Sequence, residues 1–568
     1  MAPAPPAPVA ADGSPVSQPE ADPRRWVALG VVLCASFMVL LDVSIVNVAI
    51  PRVQANLRAT FAEIQFVLAG YQLAYAVMLI TGGRLGDIFG RKRLFLIGVS
   101  GFTLASALCG LAQSPTQLVA ARVVQGLMAG LMYPQILAVI QVSFPPRERA
   151  GAFGAFGGVI GIATICGPLV GGLLIQLDLF DGWRPIFLVN VPVGMATLAA
   201  ASLLLRESRA PSRPSLDPAG VVLITAALFL LAFPLVEGRE AGWPWWAYAC
   251  LLASAPALVA FGVYIVARRR SGRSPLIDPG LFADRAFVVG LIISIVFISG
   301  IPAFFFTFTL FLQIGLGYSA LHAGLTTIPF AVGSALASLA SVRLVRVLGK
   351  RLLNIGAAIL VVGMLAVVLT LAHQGTAIHG TDLIPALLVS GVGLGLVVAP
   401  LVNTILAGVR GANAGAASGV LTTAQQIGGA IGVALVGLIY FNLLGSHAGV
   451  VAQGLHPAIS GQLQRAGVPA PAIARVATGF DTCFRDRSNA ADPTATPASC
   501  RQSSAASAQV GSVVQSAATT GRAENFLWTI ERSIGYDVAV WSLTFFLVFL
   551  LPRPAPGVLR RAHPAKAA

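Results

Sequence analysis

An aspartate, Asp42, interrupts an apolar run in Leu41-Asp-Val-Ser-Ile-Val-Asn-Val-Ala-Ile-Pro51. About sixteen mostly apolar residues precede it, starting at Trp26. At about 1.5 Å rise per residue, its carboxyl group lies well inside a hydrocarbon layer about 30 Å thick. An anion there costs several kcal/mol unless it is paired, hydrated or neutralised by a proton. Residue type and depth therefore point to proton uptake and release. The plainer alternative is a structural aspartate hydrogen-bonded to a neighbouring helix. A buried cation stands at similar depth in Leu118-Val-Ala-Ala-Arg122-Val-Val-Gln125-Gly126. Arg122 falls about 8 Å, and Asp42 about 10 Å, from the same membrane face. The two can meet directly, through water or through Gln125, unless Arg122 snorkels to the headgroups. A nearby cation favours the anion that burial disfavours, and shifting that balance is one way to load and release a proton.

Two glycine-bearing segments carry a different chemistry. In Gly83-Arg-Leu-Gly-Asp87-Ile-Phe-Gly90-Arg91-Lys92-Arg-Leu94, small residues permit close helix approach. Asp87 closes one helix, and Arg91 and Lys92 open the next turn. Opposite charges gathered at one membrane face can latch two bundles, or simply anchor the loop. In Gly157-Gly-Val-Ile-Gly161-Ile-Ala-Thr-Ile-Cys-Gly167-Pro168-Leu-Val-Gly171-Gly172, the glycines strip one helix face to its backbone, and Pro168 favours a kink. Tyr71, Gln125, Tyr133, Asn190, Gln313 and Gln425 are polar groups within apolar spans and are candidates for a substrate pathway. Gln135 and Asn403 share that setting, and Phe304-Phe-Phe306 with Phe308 offers aromatic surface. Each can equally be a packing residue.

The elements that position these residues are membrane helices. Of 568 residues, 56% are hydrophobic and only 10% charged, against roughly 25% charged in soluble domains, and mean hydropathy is +0.82. Apolar stretches long enough to cross a bilayer fall near 26–49, 64–82, 94–113, 117–142, 151–175, 185–205, 218–237 and 246–267, then near 286–313, 322–342, 353–373, 383–407, 414–443 and 534–552. That is about fourteen. The net charge of +15 invites a nucleic-acid reading, but the basic residues cluster in short loops between spans, which excludes it. The positive-inside rule puts Arg91-Lys-Arg93, Arg147 with Arg149, Arg206 with Arg209 and Arg213, Arg268-Arg-Arg270, Lys350-Arg351 and the tail with Arg553, Arg560 and Arg561 in the cytoplasm. Both termini are then cytoplasmic, in a cell (inner or plasma) membrane. Residues 1–25 form a Pro/Ala-rich disordered tail without a cleavable leader, and 553–568 a basic one. Residues 444–533 form a polar loop on the outside, lid or linker. There Cys483 and Cys500 can bridge or stay free.

The loop at Gly83–Leu94 resembles the signature of the major facilitator superfamily, G-x-L-x-D-x-x-G-R-K-x-x-L, at every quoted position. Arg346-Val-Leu-Gly349-Lys350-Arg351 resembles its second-half counterpart, with Arg346 in place of the aspartate. Arg122-Val-Val-Gln125-Gly126 resembles the R-x-x-Q-G motif. The glycine helix is similar to the antiporter motif G-x-x-x-G-P-x-x-G-G, with Ala163 at the first glycine. Gly182-Trp-Arg-Pro-Ile-Phe-Leu-Val-Asn190-Val-Pro192, Leu312-Gln313-Ile-Gly-Leu-Gly-Tyr318 and Gln425-Gln426-Ile-Gly428 narrow the resemblance to the fourteen-helix drug:proton antiporter family. The resemblance implies an all-α integral membrane fold. Six-helix bundles at 26–205 and 286–552 would flank a central segment, 206–285, with an extra pair of helices. It implies a monomer in the bilayer that exports hydrophobic or cationic small molecules against protons. Asp42 and Arg122 would couple the proton, Gly83, Asp87, Gly90, Arg91 and Lys92 would latch the cytoplasmic face, and Gly161, Gly167, Pro168, Gly171 and Gly172 would form the antiporter face. A dedicated exporter of a lipid, siderophore or secondary metabolite is the nearest alternative, and a transport-inactive scaffold or sensor a more distant one. No Walker A sequence, HExxH or Cys/His cluster occurs. We therefore expect no enzyme activity, no metal and no cofactor beyond the proton gradient.

Overall fold

The computed structural model describes residues 23–59, 61–178, 180–210, 216–238, 241–489, 497–503 and 508–552. Most of the expected N-terminal tail, the basic C-terminal tail with Arg553, Arg560 and Arg561, and Arg213 lie outside the described residues.

The first bundle contains α1 (Arg25–Leu57), α2 (Phe61–Phe89), α3 (Arg91–Gly110), α4 (Pro115–Ser143), α5 (Pro146–Gln176), and the short α6 (Pro185–Leu188) leading into α7 (Asn190–Leu204). The central pair is α8 (Pro218–Glu237) and α9 (Trp245–Arg270). Then come α10 (Arg285–Leu310), α11 (Ala320–Leu348), α12 (Arg351–Gln374), α13 (Ile384–Leu406) and α14 (Ala414–Gly454). Last are α15 (His456–Arg465), α16 (Ala470–Asn489), α17 (Ala498–Ser503) and α18 (Ala508–Leu547). No strand occurs among the described residues.

Local chemistry sets the breaks. Ser114 accepts from the Gln117 N–H at 3.3 Å, with Pro115 just inside α4, an N-cap arrangement. Ser319 caps α11 through His322 N–H. Gly90, at φ +113°, turns the chain from α2 into α3 through a conformation that suits glycine.

Thirteen helices among the described residues are long and apolar enough to cross a membrane. Counting α5, 31 residues long, brings the number to the fourteen expected. Within the first bundle α4 packs on α2 and α3; in the second, α13 packs on α11 and α12. This correspondence maps α2 onto α11 and α4 onto α13. The main contacts between bundles, α2 with α14 and α5 with α11, exchange under the same mapping when α5 is set on α14. The two halves are therefore built alike. Close approach depends on glycine: a side chain at Gly391 would collide with the Phe330 carbonyl, and one at Gly126 with the Tyr71 carbonyl.

The central pair packs against the bundles through α8, which meets α2 and α14. Asp217, fully buried, accepts from Gly220 N–H, Leu276 N–H and Tyr264 OH and pairs with Arg268. The segment after α9 then touches both halves. Arg84 of α2 donates to the Pro275 carbonyl at 2.8 Å, and Asn413, just before α14, donates to Asp278 at 3.2 Å.

The region 444–533, expected as a polar loop, is mostly helical. α14 runs 41 residues and α18 runs 40, each about 60 Å at 1.5 Å per residue and twice the hydrocarbon thickness. Their overhanging ends, with α15, α16 and α17, form a crown. Ile473, Ala477, Phe480 and Phe484 recur at helical spacing on α16 and meet Ala448, Val451 and Ala452 of α14, Ile459 and Leu463 of α15, and Val510 of α18. A Cys483–Cys500 disulfide ties α16 to α17, and His456 bonds Asp481 at 2.7 Å. The loop expectation failed because average polarity masked this amphipathic period.

Candidate functional site

Five helices converge on one carboxylate. Asp42 of α1 is fully buried and accepts three N–H donors. Arg122 Nη1 of α4 lies 2.5 Å from Oδ2, Gln125 Nε2 2.9 Å from Oδ1, and Asn190 Nδ2 of α7 3.2 Å from Oδ1. Ser106 of α3 receives Gln125 Nε2 at 3.1 Å and Asn190 Nδ2 at 3.0 Å, and donates to the Phe187 carbonyl. Arg122 also donates to Gln125 Oε1 at 2.8 Å and to the Val67 carbonyl of α2 at 3.2 Å. Its guanidinium lies 4.0 Å from the Tyr71 ring centroid, within cation–π range. Removing one partner of such a buried pair strands the other charge, so the site is a single electrostatic unit.

Asp42, Arg122, Gln125, Asn190 and Tyr71, singled out from sequence, are thus brought together. Tyr133 lies farther along, in a ring series Tyr71–Tyr75–Tyr133–Phe156 with centroid spacings of 6.1, 6.0 and 6.2 Å. Gln313, on a π-helical turn at Phe311–Gly315, and Gln425, on α14, are half-buried and stand apart from this site, on the second bundle. Ser106 carried no sequence signal, since serines are common in such helices.

The second cluster bridges the bundles. Asp87, fully buried, binds Arg91 Nη2 at 2.6 Å and accepts from Gly415 N–H at 3.1 Å and Ala416 N–H at 3.0 Å. It therefore caps the first turn of α14, where free N–H groups and the helix dipole favour an anion. Arg91 also reaches the Gly411 carbonyl at 2.8 Å. Gly83 lies so near Gly415 that a side chain on either would strike the other's carbonyl. Lys92, by contrast, donates to the Ser202 carbonyl at 2.6 Å, inside its own bundle. Glu207 accepts from the Lys92 and Arg93 N–H groups and seats the Gly90 turn; sequence reading overlooked it. Gln141 donates to the Leu406 carbonyl at 2.6 Å, and Ser338 to the Gly154 carbonyl at 3.0 Å. Among the described residues, every side-chain hydrogen bond between the bundles lies at this end.

The glycine face of α5 meets two partners. Gly154 approaches Val342, Gly157 approaches Ser338, and Gly161 approaches Ser334, all on α11. Gly172 lies 3.6 Å from Leu321 by its would-be Cβ. Gly167 faces Ser44 of α1, two residues beyond Asp42. Pro168 and Gly171 lie in the same helix; the Pro168 side chain lies outside the described residues.

A further carboxylate escaped sequence reading. Asp537 of α18 is fully buried, and neither oxygen has a hydrogen-bond partner. The signal was the one that marked Asp42, an acid within an apolar span. Among the described residues, no group of His, Cys, Asp and Glu could hold a metal ion.

Two six-helix bundles, closed on each other at one end and holding a buried ion pair in one of them, define a multi-pass membrane transporter. The Major Facilitator Superfamily pattern matches residues 32–433, and the chain belongs to that superfamily. It is 41% identical over 535 residues to a Streptomyces coelicolor protein described as a probable actinorhodin transporter, covering 94% of this chain and 92% of that one. It is 39% identical over 417 residues to the cephamycin export protein CmcT of Amycolatopsis lactamdurans, covering 72% and 84%. Among solved structures, the human organic anion transporter MFSD10 matches with TM-score 0.53 at 14% identity, covering 94% of this chain and 100% of that one. At that identity the likeness is one of fold.

Proposed function

We propose that the protein is a proton-coupled antiporter that exports hydrophobic or cationic small molecules across the cell membrane by alternating access. The Asp87 end faces the cytoplasm in this reading. The loop charges support that orientation, and so does the disulfide in the crown, which suits an oxidising compartment. The conformation seen is then the one closed to the cytoplasm.

The observation that carries the reading is the burial of Asp42 against Arg122, Gln125 and Asn190. A proton arriving on Asp42 removes the charge that holds α1 to α4 and α7. Ser44, two residues along α1, rests on Gly167 of α5, and Gly154, Gly157 and Gly161 of the same helix rest on α11. Loosening α1 is thereby transmitted to the surface on which the bundles rock. Loss of the proton to the other side restores the pair. Energy comes from the gradient, and no bound cofactor takes part.

The test is efflux of a fluorescent hydrophobic cation from energised cells, normalised to membrane expression. Wild-type efflux is expected to stop when an uncoupler is added, and Asp42→Asn to abolish it. Undiminished, uncoupler-sensitive efflux by the variant would remove Asp42 from coupling.

One observation favours the narrower reading, export of a single natural product. The alignment with the probable actinorhodin transporter takes in 535 of the 568 residues, so it includes most of the crown. Those with the puromycin resistance protein pur8 and with CmcT reach 74% and 72% of the chain. A panel of unrelated compounds separates the readings: protection against one class supports the dedicated exporter, protection against many the multidrug one.

A further inference from the structure

A cavity of about 230 Å³ lies where the crown joins the second bundle, between α14, α16, α18 and the π-helical turn at Phe311–Gly315. It is far along the chain, and in the other bundle, from the Asp42 site. Phe441, Phe484 and Phe526 supply aromatic walls, and Arg487 and Arg522 supply two positive charges. Among the described residues neither guanidinium forms a hydrogen bond or an ion pair, and the Arg522 Nε–H is buried without an acceptor. The two charges repel each other. Asn525 uses its amide N–H on the Leu444 carbonyl at 3.0 Å, which leaves its buried Oδ1 without a donor.

Arg487 is exposed and Arg522 half-buried, so water reaches both charges. The Arg522 Nε–H and the Asn525 Oδ1, by contrast, are buried without partners and are costly unless an occupant of the cavity supplies the missing hydrogen bonds. The cavity adjoins the apolar core that α14, α15, α16 and α18 share, and Phe480 and Phe484 belong to both. The missing partners specify an occupant: an acidic group to bridge the arginines, an aromatic body to lie among the phenylalanines, and a hydroxyl or amide to donate to Asn525. The volume is below the roughly 300–1,000 Å³ of drug-sized pockets and suits a compact molecule of a few fused rings. Cys483 lines the same cavity, so the disulfide fixes the α16 wall.

We propose that the crown carries a binding site for small aromatic organic anions, formed by Arg487, Arg522 and Asn525. The site is separate from the proton-coupling centre and does not depend on the direction or energy source of transport.

The test uses the full chain in zwitterionic-lipid nanodiscs, with empty nanodiscs as blank. The probes are fluorescent 9-anthracenecarboxylate and its neutral counterpart 9-anthracenemethanol. The carboxylate is expected to bind saturably at one site, at least tenfold tighter than the alcohol. Arg522→Gln and Arg487→Gln should each weaken it about tenfold or more, with the melting temperature and disulfide intact, since each charge-assisted hydrogen bond is worth about 1.5–3 kcal/mol. Arg522→Lys should keep most of the affinity. Asp42→Asn should bind normally, which separates this site from the transport reading. Equal binding of acid and alcohol, or wild-type affinity in both glutamine variants, would overturn the proposal.

Discussion

Two buried carboxylates in membrane helices behave oppositely. Asp42 is held by three donors, whereas Asp537 has none. Replacing Asp42 by Asn leaves Arg122 buried with an uncompensated charge, and breaking such pairs costs about 3–5 kcal/mol. Replacing Asp537 by Asn breaks no hydrogen bond or ion pair and exchanges a group that is costly as an anion for a neutral one. We therefore predict that Asp42→Asn lowers the apparent melting temperature in detergent, while Asp537→Asn leaves it unchanged or raises it. A fall with Asp537→Asn as large as with Asp42→Asn would show that Asp537 has a partner that matters. The same comparison in the efflux assay asks whether one carboxylate or both take part in coupling.

At the scale of elements, the contact of α2 with α14 is set by one side chain and two backbone amides. Asp87 caps a helix that belongs to the opposite bundle, and losing such a cap costs about 0.5–2 kcal/mol. That cost falls only on the closed arrangement, because the open one has no contact to lose. Asp87→Ala is therefore expected to slow turnover several-fold while substrate affinity changes little. Rate and equilibrium binding measured on one purified preparation check this; lost affinity with normal turnover of the bound fraction would contradict it. The glycines of α5 and of α2 have a related role, since Gly157→Leu would press on Ser338 and Gly83→Leu on the Gly415 backbone. Both should hold the bundles apart at that end.

For the molecule as a whole, every role depends on which side each end faces. Cys483 and Cys500 are bridged in the crown, while Cys34, Cys109, Cys166 and Cys250 are free and lie in membrane helices. In intact cells a membrane-impermeant maleimide is expected to label the crown cysteines only after reduction. Labelling that requires permeabilisation even under reducing conditions would place the crown inside and reverse the direction of transport argued above.

The sequence by itself determined the parts that local chemistry controls. Apolar length marked the spans, loop charge set the expected orientation, and an acid and a base at matching depth singled out Asp42 and Arg122 before any contact was known. Motif spacing located Asp87 and the α5 glycines. The crown was legible only in part: Ile473, Ala477, Phe480 and Phe484 keep a helical period, yet the polar residues between them hid it. Tertiary structure alone decided what each group touches. Asp87 reaches the Gly415 and Ala416 amides, Arg91 the Gly411 carbonyl, and Gln141 the Leu406 carbonyl. Those partners are backbone groups, which every residue carries, so no pattern of side chains announces them. The isolation of Asp537 and the unpaired arginines of the crown are equally invisible along the chain, because a missing partner is a property of the packed neighbourhood.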